Sequence, residues 1–521
     1  MKKLISIISA SFVASPIFAN SASDNKSAQS ASINIKSQPN IVLIYADDIG
    51  YGDLSSYGAK QVNTPNTDTL AANGIRFTNA HSAAATSTPS RYGLFTGEYP
   101  WRRRGTGVAN GDAALIINPD RVTLPKVLQQ MGYTTGAVGK WHLGIGDKSG
   151  EQDWNGHVTP GPAEIGFDYS YIMAATGDRV PCVFMENQRV VNLNPNDPIH
   201  VSYKENFEGE PTGKDNPELL TKLHPSHGHN QSIVNGISRI GYMKGGRSAL
   251  WEDENIADSI TVHATRFIER NSDKPFFLYF GTNDIHVPRY PHERFRGVTE
   301  MGHRGDAIVQ FDWSVGEIVK ALKKAGIFEN TLIIITSDNG PVVDDGYHDG
   351  SVEGLMDHKP WGPFRGGKYS NFEAGTRVPF IVHWPERVNP NVSPALISQI
   401  DMTATMAVLT GFEKTDKIPD DSQNQLNAWL GIDISGRDYI ISSAGSLSIL
   451  TRVWKYIEPS SGRSYNPLTN TELGNSSDDQ LYNIVTDRSE YENVADKNPQ
   501  IVEEMKKLLD FEKKKGINLE L

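Results

Sequence analysis

Two pairs of oxygen donors each close an apolar run. Asp47-Asp48 ends NIVLIYADD, which opens at Asn40, and Asp338-Asn339 ends TLIIITSDNG (331–340). Three carboxylates and an amide oxygen suit a hard divalent cation, with calcium favoured over magnesium where coordination is irregular. Neighbours on an ideal strand point to opposite faces, but at a strand end the chain turns and both side chains can converge. Taken alone, each pair reads first as a turn, since Asp-Asn-Gly is a good turn by itself. A third string, Ser87-Thr88-Pro89-Ser90-Arg91 followed by Tyr92-Gly93-Leu94-Phe95-Thr96-Gly97, reads in isolation as a helix entry with proline near its start. Basic groups stand in GKWHLG (139–144; Lys140, His142), TNDIHVP (282–288; His286) and GGKYSNFEAGTRVP (366–379; Lys368). Individually these are ordinary solvated lysines and structural histidines.

The elements that must position these groups follow from the hydrophobic pattern. NIVLIYADD, TTGAVGK (134–140), FFLYFGTND (276–284), TLIIITSDNG and PFIVHWP (379–385) read as buried strands of a parallel sheet. Asp306 to Ala325 carries apolar residues at helical spacing and stops at Gly326, and 123–131 and 257–270 also read as helices. Alternating strands and helices predict an α/β fold with a mainly parallel sheet covered on both faces, its site at the carboxyl ends of the strands. Asp47, Lys140, Asp284 and Asp338 all stand where such a run ends. The stretch from about 145 to 255 is rich in Gly, Pro, Asn and His and reads as insertions over the active face. Beyond Thr410-Gly411, residues 413–430 read as a linker. YIISSAG, TRVWKYIEP, DQLYNI and a helix over 498–515 then predict a smaller α+β subdomain with an antiparallel sheet. The expected domains are therefore 39–412 and 413–521.

Composition excludes several classes. The 521 residues are 38% hydrophobic and 21% charged, with a net charge of −12, as in soluble globular proteins and unlike collagenous, coiled-coil or disordered chains. The acidic balance argues against coating nucleic acid or anionic membrane. Cys182 is the sole cysteine, so no internal disulfide or cysteine-based metal cluster can form; it reads as a packed thiol. Residues 1–19 have a Lys2-Lys3 start and a short apolar run, the pattern of a removed secretory signal. Residues 20–38 are a polar, serine-rich linker. With no later window apolar enough to span a membrane, the expectation is a periplasmic or secreted protein.

The eleven-residue string from Ser87 to Gly97 resembles the signature of type I sulfatases, in the alkaline-phosphatase-like superfamily. NIVLIYADDIGYGDL, GKWHLG, TNDIHVP, TSDNG and GGKYSNFEAGTRVP resemble further family motifs in the expected order, from about Asn40 to Trp384. The resemblance implies that Ser87 is oxidised to formylglycine (3-oxoalanine), whose hydrate is both nucleophile and metal ligand. It implies one calcium ion, with magnesium less favoured, held by Asp47, Asp48, Ser87, Asp338 and Asn339. Arg91 and Lys140 would hold the aldehyde hydrate, His142 would take its second proton, and His286 and Lys368 would bind sulfate and protonate the leaving oxygen. A metal lowers the pKa of the attacking hydroxyl and neutralises charge on the transferring group. Loss of the diol's other proton then expels sulfate and restores the aldehyde. A serine in the modified position implies a radical maturation enzyme in a bacterial host, or else a serine that replaces a natural cysteine.

Specificity must come from loops. Asp178, Arg179, Asp345, His348 and His358 are the candidates for reading a sugar. Expected substrates are sulfated carbohydrates of a polysaccharide or glycosaminoglycan, leaning to a galacto-configured sugar with a 4-O or 6-O sulfate. Competing readings are a phosphodiester or phosphonate monoester hydrolase of the same superfamily, and a silent sulfated-glycan binder with unoxidised Ser87. Arg102, Arg103 and Arg104 read equally as a buttress or as a solvated face. Oligomeric state is not readable from the sequence.

Overall fold

In the computed structural model, which describes residues 38–515, a ten-stranded sheet is built from β1 (Asn40–Ala46), β2 (Ile75–His81), β3 (Thr134–Lys140), β4 (Tyr169–Met173), β5 (Phe184–Glu186), β6 (Arg189–Val190), β7 (Phe276–Gly281), β8 (Thr331–Ser337), β9 (Phe380–His383) and β10 (Asn391–Ser398). Their spatial order is β10-β2-β9-β8-β1-β7-β3-β4-β5-β6. The expected signal and most of the linker lie outside the described residues. No helix among the described residues is long and apolar enough to cross a membrane.

β1 runs parallel to β7 and β8, β7 to β3, β3 to β4, and β2 to β10. Every residue of β1 and β8 is buried, which is why both read as unbroken apolar runs; central parallel strands are covered on both faces. β9, expected to be parallel, is antiparallel to both β8 and β2. The reason is geometric: the chain leaves β8 at the carboxyl edge, stays on that face through residues 338–379, and re-enters from the same edge. The 145–255 segment is less irregular than its composition suggests. It adds β4 to the sheet and then the antiparallel β5–β6 hairpin.

Helices α1 (Pro65–Ala72), α4 (Ile256–Arg270) and α5 (Gly302–Lys324) pack as one layer, and α2 (Ser87–Thr96), α3 (Leu124–Gln130) and α6 (Met402–Thr410) as the other. β11 (Tyr439–Ser443), β12 (Leu447–Thr451), β13 (Trp454–Ile457) and β14 (Gln480–Asn483) form a separate antiparallel sheet. Under α7 (Pro499–Lys515), Ile441, Ile449, Tyr456, Leu481, Met505 and Leu509 close its core.

This second sheet clamps the segment that carries Lys368. Arg365 donates to Glu472 (2.9 Å) and to the Glu490 carbonyl (2.7 Å). At the far end of the segment, Lys455 of β13 lies 3.0 Å from Glu373, whose backbone N–H donates to the Glu490 carboxylate (2.6 Å). Arg102 is likewise spent inside, on Asp421 (2.7 Å) and Glu512 (3.3 Å), so it buttresses and does not attract ligand. Burial pushes the Glu490 carboxyl up to about 7, Lys455 opposing and Glu373 adding to the rise. A carboxyl raised in the fold binds its proton more tightly there than in the unfolded chain. Its stabilising contribution is present below about pH 4.5 and lost as pH rises through about 7. Glu490→Gln is therefore expected to flatten the fall of Tm across that window by a few degrees. An unchanged slope in calorimetry would refute the assignment.

Candidate active site

Five structural ends converge. Asp47 and Asp48 follow β1, Lys140 ends β3, His286 follows β7, Asp338 and Asn339 follow β8, and Ser87 opens α2 after β2. All these strands run in one direction, so their carboxyl ends share one edge, where sites of open α/β sheets form. Asp48 (φ 60°) and His142 (φ 56°) are left-handed. That conformation is costly for a residue with a Cβ and is retained where surrounding structure fixes it. It turns each side chain inward at the strand end. All ten residues of α2 are buried, and Gly97 (φ 70°) terminates the helix.

The Ser87 hydroxyl oxygen accepts from Arg91 Nε (2.9 Å) and lies 3.3 Å from His142 Nδ1. His142 Nε2 lies 3.0 Å from the Ala109 carbonyl, which only accepts, so Nε2 carries the proton and Nδ1 presents its lone pair to Ser87. Burial, then Lys140, push the His142 pKa well below the ordinary histidine range, which keeps that lone pair free. Arg91 also donates to Asp338 (2.8 Å) and to Tyr279. Lys140 donates to Asp47 (2.6 Å), and Lys368 to Asp48 (2.9 Å) and Asp345 (2.8 Å). Asn339 donates to Asp48 (2.7 Å), whose N–H reaches Asp338 (3.2 Å). Four buried carboxylates, Asp47, Asp48, Asp338 and Asp345, thus face three buried cations.

The donor set fits a divalent cation. Asp47 Oδ1 and Asn339 Oδ1 are buried without a hydrogen-bond partner, and ligating atoms of Asp47, Asp48 and His286 lie within 4.8 Å of one another. Burial raises the Asp47 carboxyl well above the carboxylate range against the pull of Lys140. It raises Asp48 against Lys368. Burial also works hardest against ionised Asp338, but Arg91 and Lys140 together hold that group below the usual range. Positive charge placed among these oxygens favours their ionised forms.

A cavity of about 70 Å³ is lined by Ser87, His142, His286, Lys368, Asp178, Arg179 and Asp345. His286 points Nε2 toward Asp48 (3.9 Å), its Nδ1 donating to the Val287 carbonyl (2.7 Å). Two candidates lie elsewhere. His358 is buried against Asp53 (2.8 Å), which also binds Arg304, and His348 is an exposed strand residue paired with His224; neither lines the cavity. Closeness to Asp338 in sequence suggested them, but the intervening loop carries them away. One wall residue was missed. His229 reaches the cavity from the insertion, its Nε2 3.0 Å from Asp178 and its Nδ1 3.1 Å from the His227 carbonyl. Both partners accept, so both nitrogens donate and the ring is an imidazolium. Gly346 (φ 119°) makes room for it, since a Cβ there would sit 2.1 Å from His229 Nδ1. No local motif signals His229; only the fold brings it in. Cys182 is the buried thiol expected, pushed up to about 12 by burial.

The family model of sulfatases matches residues 39–412. The chain belongs to the sulfatase family. An N-acetylgalactosamine-6-O-sulfatase of Bacteroides thetaiotaomicron is 53% identical over 475 residues, covering 91% of this chain and 93% of its own. Human arylsulfatase A is 31% identical over 387 residues, covering 74% of this sulfatase and 66% of its own chain. A solved 6S-sulfatase described in the metabolism of multiple glycosaminoglycans by Bacteroides thetaiotaomicron superposes with a TM-score of 0.90. It is 53% identical and covers 92% of this sulfatase and 100% of that chain. This sulfatase is a sulfuric ester hydrolase of the alkaline-phosphatase-like fold, and its family works through formylglycine and a divalent metal.

Proposed function

We propose that this sulfatase is an exported bacterial enzyme that removes 6-O-sulfate from N-acetylgalactosamine or a related galacto-configured sugar, in polysaccharide or glycosaminoglycan breakdown. The observation that carries the substrate reading is the 53% identity with an N-acetylgalactosamine-6-O-sulfatase across nine-tenths of both chains. Residues 1–19 serve as the export signal, 39–412 as the catalytic domain and 413–521 as its C-terminal subdomain. A radical maturation enzyme oxidises Ser87.

Asp47, Asp48, Asp338, Asn339 and the oxygen on residue 87 would hold one calcium ion, which when bound supplies charge neutralisation to the sulfate and acidifies the oxygen beside it. Formylglycine at position 87 supplies, as its hydrate, two hydroxyls where serine has one. Arg91 Nε holds the residue-87 oxygen from one side, and His142 Nδ1 holds the lone pair that accepts its proton from the other. Lys140 pulls the Asp47 carboxyl toward its ionised form and helps to keep His142 neutral. Lys368, between Asp48 and Asp345, faces the sulfate. The arriving anion raises the depressed pKa of His286, and its Nε2 hands a proton to the departing sugar oxygen. Arg179 offers donors to the sugar hydroxyls, Asp178 and Asp345 offer acceptors, and the His229 imidazolium holds Asp178 in place.

The test is sulfate release from N-acetylgalactosamine 6-sulfate, its 4-sulfate isomer and a matched phosphate ester. The 6-sulfate should lead by about a hundredfold or more, because a misplaced ester loses several oriented contacts at once. Faster phosphate release would transfer the enzyme to phosphoester chemistry.

A further inference from the structure

We propose a second sugar-binding subsite beside the catalytic cavity, in a cleft between the start of α2 and the C-terminal sheet. The inference rests on the desulfation reading above. The catalytic cavity, about 70 Å³, falls well short of the roughly 300–1,000 Å³ common for ligand sites. Most of a sugar must therefore lie outside it. Thr86 and Tyr369 line this cavity and also a neighbouring cleft of about 430 Å³, within the roughly 300–1,000 Å³ common for ligand sites. The shared pair sets the two spaces side by side.

The chemistry of the cleft names its occupant. Trp101, Ser443, Asn466 and Asn475 line it with Thr86 and Tyr369, and among the described residues no Lys, Arg, Asp or Glu does. Aromatic rings, amides and hydroxyls suit an uncharged, hydroxyl-rich ring. The absence of cations disfavours a second sulfate there.

The dividing residues are fixed rather than loose. Tyr369 is left-handed (φ 75°), a strained state that surrounding contacts must hold. Its N–H donates to the Ala85 carbonyl (2.9 Å) and its hydroxyl to Asp345 (3.1 Å). On the opposite side, Ala85 N–H reaches the Ser443 carbonyl (3.4 Å), and Asn371 donates to Asn475 (3.2 Å). Tyr369 thus touches, through Asp345, the group that holds Lys368, while its ring borders the cleft. The sugar joined to the sulfated residue would lie over Tyr369 against Trp101 and the two amides.

The experiment compares kcat/KM for N-acetylgalactosamine 6-sulfate with that for a disaccharide joining the same sulfated sugar to an uncharged hexose. The disaccharide should be preferred about tenfold or more, the worth of one or two retained hydrogen bonds with an aromatic contact. Trp101→Ala and Asn475→Ala should each pull that ratio toward unity, chiefly through KM. A ratio cancels any general loss of activity. Because Trp101 also packs against the C-terminal core, Asn475→Ala carries the test if W101A does not fold. A wild-type ratio near unity, or a ratio neither variant moves, overturns the subsite while desulfation stands. Sulfate release from neither substrate removes the desulfation reading and the subsite with it.

Discussion

Ser87→Ala is expected to abolish sulfate release, lowering kcat by at least ~10⁴-fold, while circular dichroism and Tm stay close to those of the parent. The magnitude follows from the position of the hydroxyl oxygen, 2.9 Å from Arg91 Nε and 3.3 Å from His142 Nδ1. Removing a nucleophile leaves only the residual catalysis of binding and electrostatics. The fold should tolerate the change. It deletes one oxygen from a buried helix start and leaves Arg91 its bond to Asp338 (2.8 Å), so the cost should be about 1 kcal/mol. Intact-mass analysis of the wild-type peptide completes the experiment. A residue 87 two hydrogens lighter than serine marks the aldehyde, whereas plain serine in the native host, with no sulfate released, would return the chain to a glycan-binding role.

Metal removal should have the next largest effect. Treatment with a strong chelator is expected to reduce turnover by about 10³-fold or more, with recovery on adding calcium and weaker recovery with magnesium. Unfolding should not follow. Lys140 against Asp47 (2.6 Å), Lys368 against Asp48 (2.9 Å) and Arg91 against Asp338 (2.8 Å) already neutralise the three carboxylates. Stability should fall only by the linkage of a ligand that prefers the folded state, a few degrees in Tm. Elemental analysis must accompany the assay. A protein free of divalent metal yet fully active would remove the oxygen cluster from the chemistry.

How much was legible in the sequence depended on whether burial was local and continuous. β1 and β8 announced themselves because every residue is buried. α5 did so because one face repeats at helical spacing along its 23 residues. β2 (IRFTNAH) gave no such run, being half-buried at alternate positions with Asn79 and His81 inside. β10 contains Pro394, which argues against a strand; the ladder tolerates it through a register shift between Ser393 and Leu396. The candidate metal residues were readable because Asp47-Asp48 and Asp338-Asn339 each close a recognisable apolar run, and Ser87 because it opens a distinctive string. The far wall of the cavity was not. His229 arrives from a loop without periodicity, whereas His358, near Asp338 in sequence, is claimed by Asp53.

The family match ends at residue 412, but the grip on Lys368 does not. Arg365 and Glu373, either side of that lysine, are fastened to Lys455, Glu472 and Glu490. The carboxyl-terminal fifth is therefore no detachable appendage. A truncation at 412 would remove the partners that hold Arg365 and Glu373 on either side of Lys368. In a chimera between relatives, a crossover at that junction inherits a matched set of partners or breaks it.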